Sequence, residues 1–201
     1  MNLSRFNSRF VRVLILSLMG LALIACSPKP SFKNVDITGS KAFGNDFSLL
    51  DPDGKVRTLS DFKGKAVVIF FGYTQCPDVC PTTLTEMQQV MTLLGPQADK
   101  VQVLFITVDP DRDTAAILKQ YVPAFDKRFL GLRPADQAAL EKVAKDFMIY
   151  YKQVPGTNAN SYTIDHTAGS YAFDPEGHLR LYIKHAQGSE ILAQDLKELL
   201  K

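Results

Sequence analysis

Two apolar runs in the chain show no alternation between apolar and polar residues. They cover residues 66–71 and 101–108. A strand with one solvated face alternates, so unbroken apolar runs are typical of strands buried on both faces of a sheet. Between them, residues 82–94 carry apolar side chains at helical spacing, and Gly95 and Pro96 end the predicted helix. Because crossovers between parallel strands are right-handed, we expect the two strands to lie side by side and parallel.

The remaining pattern predicts two hairpins and three more helices. Asp51-Pro-Asp-Gly54 and Asp174-Pro-Glu-Gly177 are turn sequences that separate residues 46–50 from 55–59 and residues 171–173 from 179–184. Helices are predicted for residues 114–121 and 136–147, and Ser189 is predicted to cap a last helix that runs to Leu200. This order predicts an α/β, thioredoxin-like fold of three layers, with a mixed central sheet, peroxiredoxin-style additions and an added β-hairpin.

The first 25 residues differ from the rest of the chain. Three arginines precede an apolar run over residues 13–25. At about 1.5 Å per residue this run spans about 20 Å as a helix, which is short of the roughly 30 Å hydrocarbon core of a bilayer. It is therefore typical of a signal peptide. Leu23-Ile-Ala-Cys26 resembles a bacterial lipobox, which implies cleavage before Cys26 and a lipid on that cysteine; a short uncleaved anchor is the alternative.

We therefore expect three parts along the chain. Residues 1–25 are predicted to be a lipoprotein signal peptide, residues 26–40 a lipidated N-terminus and linker, and residues 41–201 the thioredoxin-like domain. Either form of anchor leaves the domain lipid-anchored or tethered on the extracytoplasmic, periplasmic side of a bacterial membrane. Without the leader, three of the 23 basic residues are lost and all 21 acidic ones remain, so the basic character of the chain comes from the leader. No basic patch with interleaved aromatics supports a nucleic-acid partner.

Cys76 and Cys80 are the only thiols left in the predicted mature domain. They follow the first buried strand, and the carboxyl ends of parallel strands are where sites collect in such sheets. A domain of this size needs no disulfide to be stable, so a lone close pair indicates chemistry. We expect Cys76 at the cap of the following helix and Cys80 four residues on, facing the same way. The positive end of the helix is expected to stabilise both thiolates.

Thiolates serve metal binding and disulfide exchange alike, and the residues alone leave both uses open. Thioredoxin-type oxidoreductases have two residues between their cysteines, whereas this chain has three, which favours a metal without forbidding a disulfide. A peroxidase is disfavoured, because peroxiredoxins place a threonine three residues before the reactive cysteine. Here Thr74 lies two residues before Cys76, and Pro77 lies three before Cys80. A copper or redox sensor remains a further alternative.

His166 is the candidate third ligand among three histidines. His178 falls beside a predicted turn and His185 in a loop-like context, whereas His166 precedes the strand at residues 171–173. In a thioredoxin-like fold that loop faces the cysteine helix. Two thiolates and one imidazole suit Cu(I), whereas structural zinc usually takes four protein ligands, and no fourth cysteine or histidine is clearly available. The sequence thus predicts an open copper site that holds one ion per chain.

Three blocks of sequence resemble the Sco/SenC family, membrane-tethered copper proteins involved in assembling cytochrome c oxidase. They are residues 72–81, 106–114 and 165–177, and the resemblance covers roughly residues 43–200. It implies a thioredoxin-like fold, Cu(I) or Cu(II) as cofactor, and Cys76, Cys80 and His166 as ligands. It also implies cytochrome c oxidase subunit II or another periplasmic copper chaperone as partner. Members deliver copper, reduce a partner's cysteines, or do both. Many have an N-terminal transmembrane helix where this chain has a lipobox.

Our hypothesis is a membrane-tethered copper metallochaperone that delivers copper to the CuA centre of subunit II. The main alternative is a thiol–disulfide oxidoreductase in which Cys76 and Cys80 are catalytic and keep the partner's copper-ligand cysteines reduced. Asp78, Asp109 and Asp165 are candidates for groups that orient the ligands or contact the partner. For Asp78 and for the segment 111–114, capping of a helix is the structural alternative.

Overall fold

The computed structural model describes residues 30–44, 46–157 and 161–201. The predicted signal peptide and Cys26 lie outside the described residues. Residues from Ser31 to Lys201 pack as one unit. Within the described ranges, no helix has the length and apolar character needed to cross a membrane.

Ten strands and four α-helices are present in the described part of the chain. The strands are β1 (Val35–Asp36), β2 (Leu49–Leu50), β3 (Val56–Arg57), β4 (Ala66–Gly72), β5 (Val101–Thr107), β6 (Leu130–Leu132), β7 (Tyr151–Pro155), β8 (Tyr162–His166), β9 (Ser170–Phe173) and β10 (Leu179–Ile183). The helices are α1 (Val79–Leu94), α2 (Ala115–Tyr121), α3 (Gln137–Asp146) and α4 (Ser189–Leu199). Short 3-10 turns span Leu59–Phe62, Gly95–Lys100 and Val122–Ala124.

The central sheet has six strands in the order β1-β10-β9-β4-β5-β6. Strand β4 pairs with β5 in parallel and with β9 in antiparallel fashion. Every residue of β4 and β5 is buried, as unbroken apolar runs require. The predicted parallel neighbours and the mixed sheet are therefore confirmed.

Helices cover both faces of this sheet. Consecutive side chains of a strand point to opposite faces, and in β4 these are Phe70 and Phe71. Phe71 packs on Phe147, which caps the C-terminal end of α3, with ring centroids 5.4 Å apart. The next residue, Gly72, faces the opposite way and lies against Cys80 of α1, and α1 packs against α4. The predicted three-layer fold is confirmed.

Some predicted boundaries are wrong. The linker cannot extend to residue 40, because β1 pairs with β10. Just before β1, the backbone N–H groups of Lys33 and Asn34 donate to the buried carboxylate of Asp195 at 2.8 and 2.7 Å. Ser189 does not cap the last helix: Gly188 holds that position, and Ser189 is the first helical residue. The hairpin predicted around Asp51 shortens to the two-residue strands β2 and β3.

The hairpin of β7 and β8 has no counterpart in the prediction. Its two strands pair only with each other and form a separate small sheet. Of their residues, Ile164 alone is fully buried, and β7 is rich in exposed polar side chains. Strand β7 shows no apolar alternation, and the alternation in β8 extends over only five residues with one buried side chain, so the sequence pattern indicates the pair only weakly.

Candidate metal centre

The two cysteines occupy different local structures. Helix α1 begins at Val79 with Asp78 in the N-cap position, so Cys80 lies in the first turn. Cys76 lies before the helix, in a turn closed by its N–H donating to the carbonyl of Tyr73 at 3.2 Å. The expectation that Cys76 sits at the helix cap is therefore wrong by two residues.

Cys80 is fully buried, and its side chain lies between the C-terminal end of β4 and the first turn of α1. A Cβ atom built on Gly72 would come within 2.7 Å of the Cys80 Sγ and within 3.0 Å of the rings of Phe70 and Phe105. Any side chain at Gly72 would therefore displace the sulfur. The glycine in this block is required by the close approach of the ligand and not by an unusual backbone angle.

Burial raises the pKa of the Cys80 thiol far above its ordinary value. A hydrogen bond from the backbone N–H of Tyr73 opposes this effect, and the nearby Cys76 adds to it. The predicted lowering of the Cys80 pKa by the helix end is thus wrong, because removing the thiolate from water outweighs the helix dipole. The sulfur stays protonated until a cation replaces the proton.

His166 is the last residue of β8 and brings its ring to the same point. Its Nδ1–H donates to the carbonyl oxygen of Thr167 at 3.0 Å, since a carbonyl can only accept. In the neutral ring this leaves the lone pair on Nε2, which lies 3.6 Å from the Cys80 Sγ. Burial lowers the pKa of His166, which favours that neutral form. The ring of Tyr73 supports the imidazole edge-on at 5.8 Å.

The structure therefore brings together the three residues that the sequence singled out. The two sulfurs and a ring nitrogen of His166 all lie within 4.8 Å of one another, and both cysteines are free thiols. A cleft of about 440 Å³ opens onto this group, lined by Cys76 and His166 but not by Cys80. Two sulfurs and one imidazole form a donor set for a soft, low-coordinate cation.

Two of the three predicted aspartates lie at the rim of the cleft. Asp78 and Asp165 both line it, and both are exposed. The Asp165 side chain does not orient His166, because adjacent residues of a strand point apart. Asp78 makes no capping hydrogen bond through its side chain; instead Thr82 Oγ1 donates to its carbonyl at 2.8 Å. Both carboxylates are thus placed to face an approaching molecule.

Asp109 lies away from the ligand atoms, in a buried network. Its carboxylate forms a salt bridge with Arg112 and accepts a hydrogen bond from the hydroxyl of Tyr162 at 2.8 Å. The Arg112 guanidinium donates to the side chain of Gln75, in the loop before α1 that holds Cys76 (the Cys76 loop), and to the carbonyl of Tyr162 in β8. Arg112 was not among the site residues predicted from the sequence. Its position between Asp111 and Asp113, within a block that resembles the family, was the signal in the sequence that could have indicated it.

Asp113 is a second residue that sequence reasoning missed. It is fully buried and accepts hydrogen bonds from the Thr74 N–H at 3.0 Å, the Thr74 hydroxyl at 2.5 Å and the Thr107 hydroxyl at 2.6 Å. Burial raises the pKa of this carboxyl, and these hydrogen bonds oppose the shift. It therefore fixes Thr74, two residues before Cys76. The capping alternative holds only for Thr114, whose hydroxyl accepts from the Ile117 N–H.

The other two histidines lie elsewhere. His178 is exposed and groups with Asp174 and Glu176, also within 4.8 Å of one another. That Asp174 carboxylate already accepts from the His178 N–H at 2.8 Å and from Arg180 at 3.0 Å, and the group holds no sulfur. His185 is exposed and its Nδ1 lies 3.2 Å from the hydroxyl of Thr83.

A family model described as SCO1/SenC matches residues 35–201 of the chain. Among curated relatives, the Bos taurus "Protein SCO2 homolog, mitochondrial" is 40% identical over 155 residues, which make up 76% of this chain and 58% of that protein. The chain therefore spans less than two thirds of that relative. The Rickettsia felis "SCO2-like protein" is 36% identical over 143 residues, 71% of this chain and 68% of that protein.

A solved structure extends the similarity to three dimensions. The copper-bound ScoI of Bradyrhizobium japonicum is 44% identical in sequence and superposes with a TM-score of 0.72. The match covers 79% of this chain and all of that one.

Proposed function

Because the chain belongs to the SCO1/SenC family, we propose that it is a copper metallochaperone for cytochrome c oxidase. It binds one copper ion through Cys76, Cys80 and His166, and it delivers that ion to the CuA centre of subunit II. The observation that carries the proposal is the 3.6 Å approach of an imidazole nitrogen, whose lone pair is free, to the sulfur of Cys80.

Copper is supported as the cargo by two independent arguments. Two thiolates and a neutral imidazole match the preference of Cu(I) for soft ligands and low coordination numbers. The Bradyrhizobium japonicum relative, 44% identical, is described with copper bound. Copper binding displaces the proton that the buried Cys80 otherwise retains.

Delivery is supported by the unequal exposure of the two sulfurs. Cys76 is half-buried and lines the cleft, whereas Cys80 is buried behind it. An incoming ligand of the partner reaches the ion from the cleft, so Cys76 and His166 are released before Cys80. The exposed Asp78 and Asp165 flank that path and meet the partner first.

We place this activity on the extracytoplasmic face of a bacterial membrane. The support is the lipobox-like sequence that ends at Cys26, behind an apolar run too short for a stable span. Labelling of growing cells with a radioactive fatty acid tests this anchor. Labelling of the wild-type chain and none of a Cys26→Ala variant is expected, and equal labelling of both contradicts it.

The test of the copper proposal uses the full chain loaded with Cu(I) under anaerobic conditions. We expect one copper per chain, and transfer of copper from two chains to one metal-free subunit II. The CuA absorption bands should then appear when a mild chemical oxidant, added after the transfer, removes one electron from the two Cu(I) ions. The variants Cys76→Ser, Cys80→Ser and His166→Ala are compared with the wild type. If all three retain full copper affinity, the ligand assignment is wrong.

The alternative, a thiol–disulfide oxidoreductase, is favoured by one observation: the two free thiols lie within 4.8 Å of each other, so a small movement brings them into bonding range. In that function they pass two electrons to a partner disulfide and become a disulfide themselves. The metal-free protein would then reduce oxidised subunit II, and the activity would survive His166→Ala. Loss of either cysteine would abolish it.

A further inference from the structure

Arg112 joins three parts of the molecule that surround the copper ligands. Its Nε forms a salt bridge with Asp109, at the end of β5. One Nη donates to the backbone carbonyl of Tyr162, in β8, at 2.9 Å, and to the side chain of Gln75, beside Cys76, at 3.3 Å. Only 19% of the Arg112 side chain is exposed.

The same guanidinium also stacks on an aromatic ring. Its Cζ lies 3.5 Å from the centroid of Tyr162 and 5.6 Å from that of Tyr73. The Tyr162 hydroxyl then donates to Asp109, the salt-bridge partner of Arg112, which closes a ring of contacts. Tyr162 is the first residue of β8, and His166 is the last.

We propose that Arg112 is a positioning residue for His166: it ties the Cys76 loop to β8 and thereby sets the imidazole against Cys80. The proposal rests on the proposed copper function and adds a residue that touches neither the ion nor a ligand atom.

Arg112 can have this role because, among the described residues, no backbone pairing joins the hairpin to the central sheet. Strands β7 and β8 pair only with each other, so His166 contacts the central sheet through its ring, whose centroid lies 6.3 Å from that of Phe70 in β4. The Tyr73 ring and the buried side chain of Ile164, whose N–H donates to the Tyr73 hydroxyl at 3.2 Å, also hold the end of β8 that carries His166. The start of β8 is held by the Arg112 and Asp109 contacts of Tyr162. Removing Arg112 takes away the stack and the contact to the Tyr162 carbonyl, and leaves Asp109 buried without its cation.

The chain offers a matched control for the loss of a half-buried arginine. Arg180 is also 19% exposed, forms a salt bridge with the buried Asp174 at 3.0 Å, and lies over the ring of Phe32. It sits in β10, away from the Cys76 loop and β8. Arg180→Ala therefore reproduces the general destabilisation of Arg112→Ala without the contacts to the site.

The first measurement is the Cu(I) affinity of the full chain, by competition with a colorimetric chelator. Groups that orient metal ligands typically contribute 10- to 100-fold to affinity, so we expect Arg112→Ala to lower it by about that factor and Arg180→Ala to leave it unchanged. Arg112→Lys keeps the charge but lacks the planar fork, so it is expected to recover only part of the affinity. Equal affinities for the Arg112→Ala and Arg180→Ala proteins overturn the proposal.

The second measurement is a double-mutant cycle with His166→Ala. If Arg112 acts through His166, Arg112→Ala lowers the Cu(I) affinity no further once the imidazole is gone. A full additional loss in that background assigns Arg112 a role independent of His166 and overturns the proposal.

A third measurement needs no copper and separates this inference from the proposed function. In the metal-free chain, the ¹⁵N chemical shifts of His166 report the protonated Nδ1 that donates to Thr167. We expect Arg112→Ala to move the ring toward a mixture of tautomers, and Arg180→Ala to leave it in place. Unchanged shifts in the Arg112→Ala protein overturn the inference. Wild-type and His166→Ala chains that bind Cu(I) equally well overturn the ligand assignment instead.

Discussion

The two halves of the ligand group differ in how the fold holds them. Cys80 lies between a central strand, paired on both sides, and the first turn of a long helix. His166 ends a two-stranded hairpin in which one residue is fully buried. Segments with few buried contacts open locally at a lower free energy than central strands. The difference suggests a division of labour, in which the cysteine half, meaning Cys80 and the elements that bury it, retains the ion, and the histidine half, meaning His166 and its hairpin, controls the exchange of the ion.

The largest effect is expected from the cysteine half. Cys80→Ser should abolish stoichiometric Cu(I) binding, because a hydroxyl is a poor ligand for a soft cation. It should also lower the free energy of unfolding of the metal-free chain by about 1–3 kcal/mol, since a polar hydroxyl replaces the thiol at a fully buried position. Chelator competition and denaturant titration measure the two effects. Retained binding would remove the contrast between the halves.

The histidine half should show the opposite balance. His166→Ala is expected to leave Cu(I) bound by two sulfurs, with a weaker affinity than wild type and faster loss to a chelator. The unfolding free energy should change by less than in Cys80→Ser, since His166 is less buried. Stopped-flow transfer to the chelator measures the rate. A loss of affinity equal to that of Cys80→Ser would contradict the division.

Gly72→Ala probes the cysteine half without removing a ligand. The added Cβ meets the Cys80 sulfur at 2.7 Å, and overpacking of this kind typically costs about 1–3 kcal/mol. Both Tm and Cu(I) affinity should fall. Gly177→Ala is the control, because its φ of +89° makes alanine unfavourable by about 1–2 kcal/mol at a position away from the ligands. The control should lower Tm alone; unchanged copper affinity in Gly72→Ala would show that the sulfur can move freely.

The smallest effect is the pH dependence of the metal-free chain, in which the two halves act at opposite ends of the scale. Burial raises the pKa of Cys80, so its contribution to stability is present below the ordinary thiol value of 9.0 and is lost as the pH rises beyond it. Burial lowers the pKa of His166, so its contribution is present above 6.5 and is lost as the pH falls.

Denaturant titrations at several pH values test both signs. The Cys80→Ala chain should lose less stability than wild type between pH 9 and 10.5, and the His166→Ala chain should lose less below pH 6. Parallel curves for all three proteins would contradict the assignment. Cu(I) binding should release a proton from Cys80, so the apparent affinity of the chain for Cu(I) should rise with pH.

The same contrast explains what the sequence could predict. The apolar runs that became β4 and β5 specify a doubly covered sheet by composition alone, and the cysteines follow from their place at its edge. Strands β7 and β8 were not predicted, because much of their stability comes from contacts with side chains distant in sequence. Asp109 and Arg112 are examples, some 50 residues from Tyr162. His166 was predicted by elimination among three histidines and by the resemblance of residues 165–177 to the Sco/SenC family.

The predicted direction of the pKa shift of Cys80 was wrong for a related reason. The helix end that should acidify a thiol is visible in the sequence, but the complete burial of Cys80 is not. It depends on the packing of α1 against the central sheet, where Gly72 leaves room for the sulfur. Motif spacing therefore predicted which atoms meet, and packing decided their protonation state.

The carboxylate of Asp195 fixes the position of the chain just before β1. It accepts hydrogen bonds from the backbone N–H groups of Lys33 and Asn34, so the folded domain begins there. With the anchor that we propose at Cys26, the linker consists of the seven residues before Lys33. At about 3.3–3.6 Å per residue it would reach at most about 25 Å. A domain anchored in this way would stay close to its own bilayer, so it would meet an acceptor embedded in that same bilayer by two-dimensional diffusion.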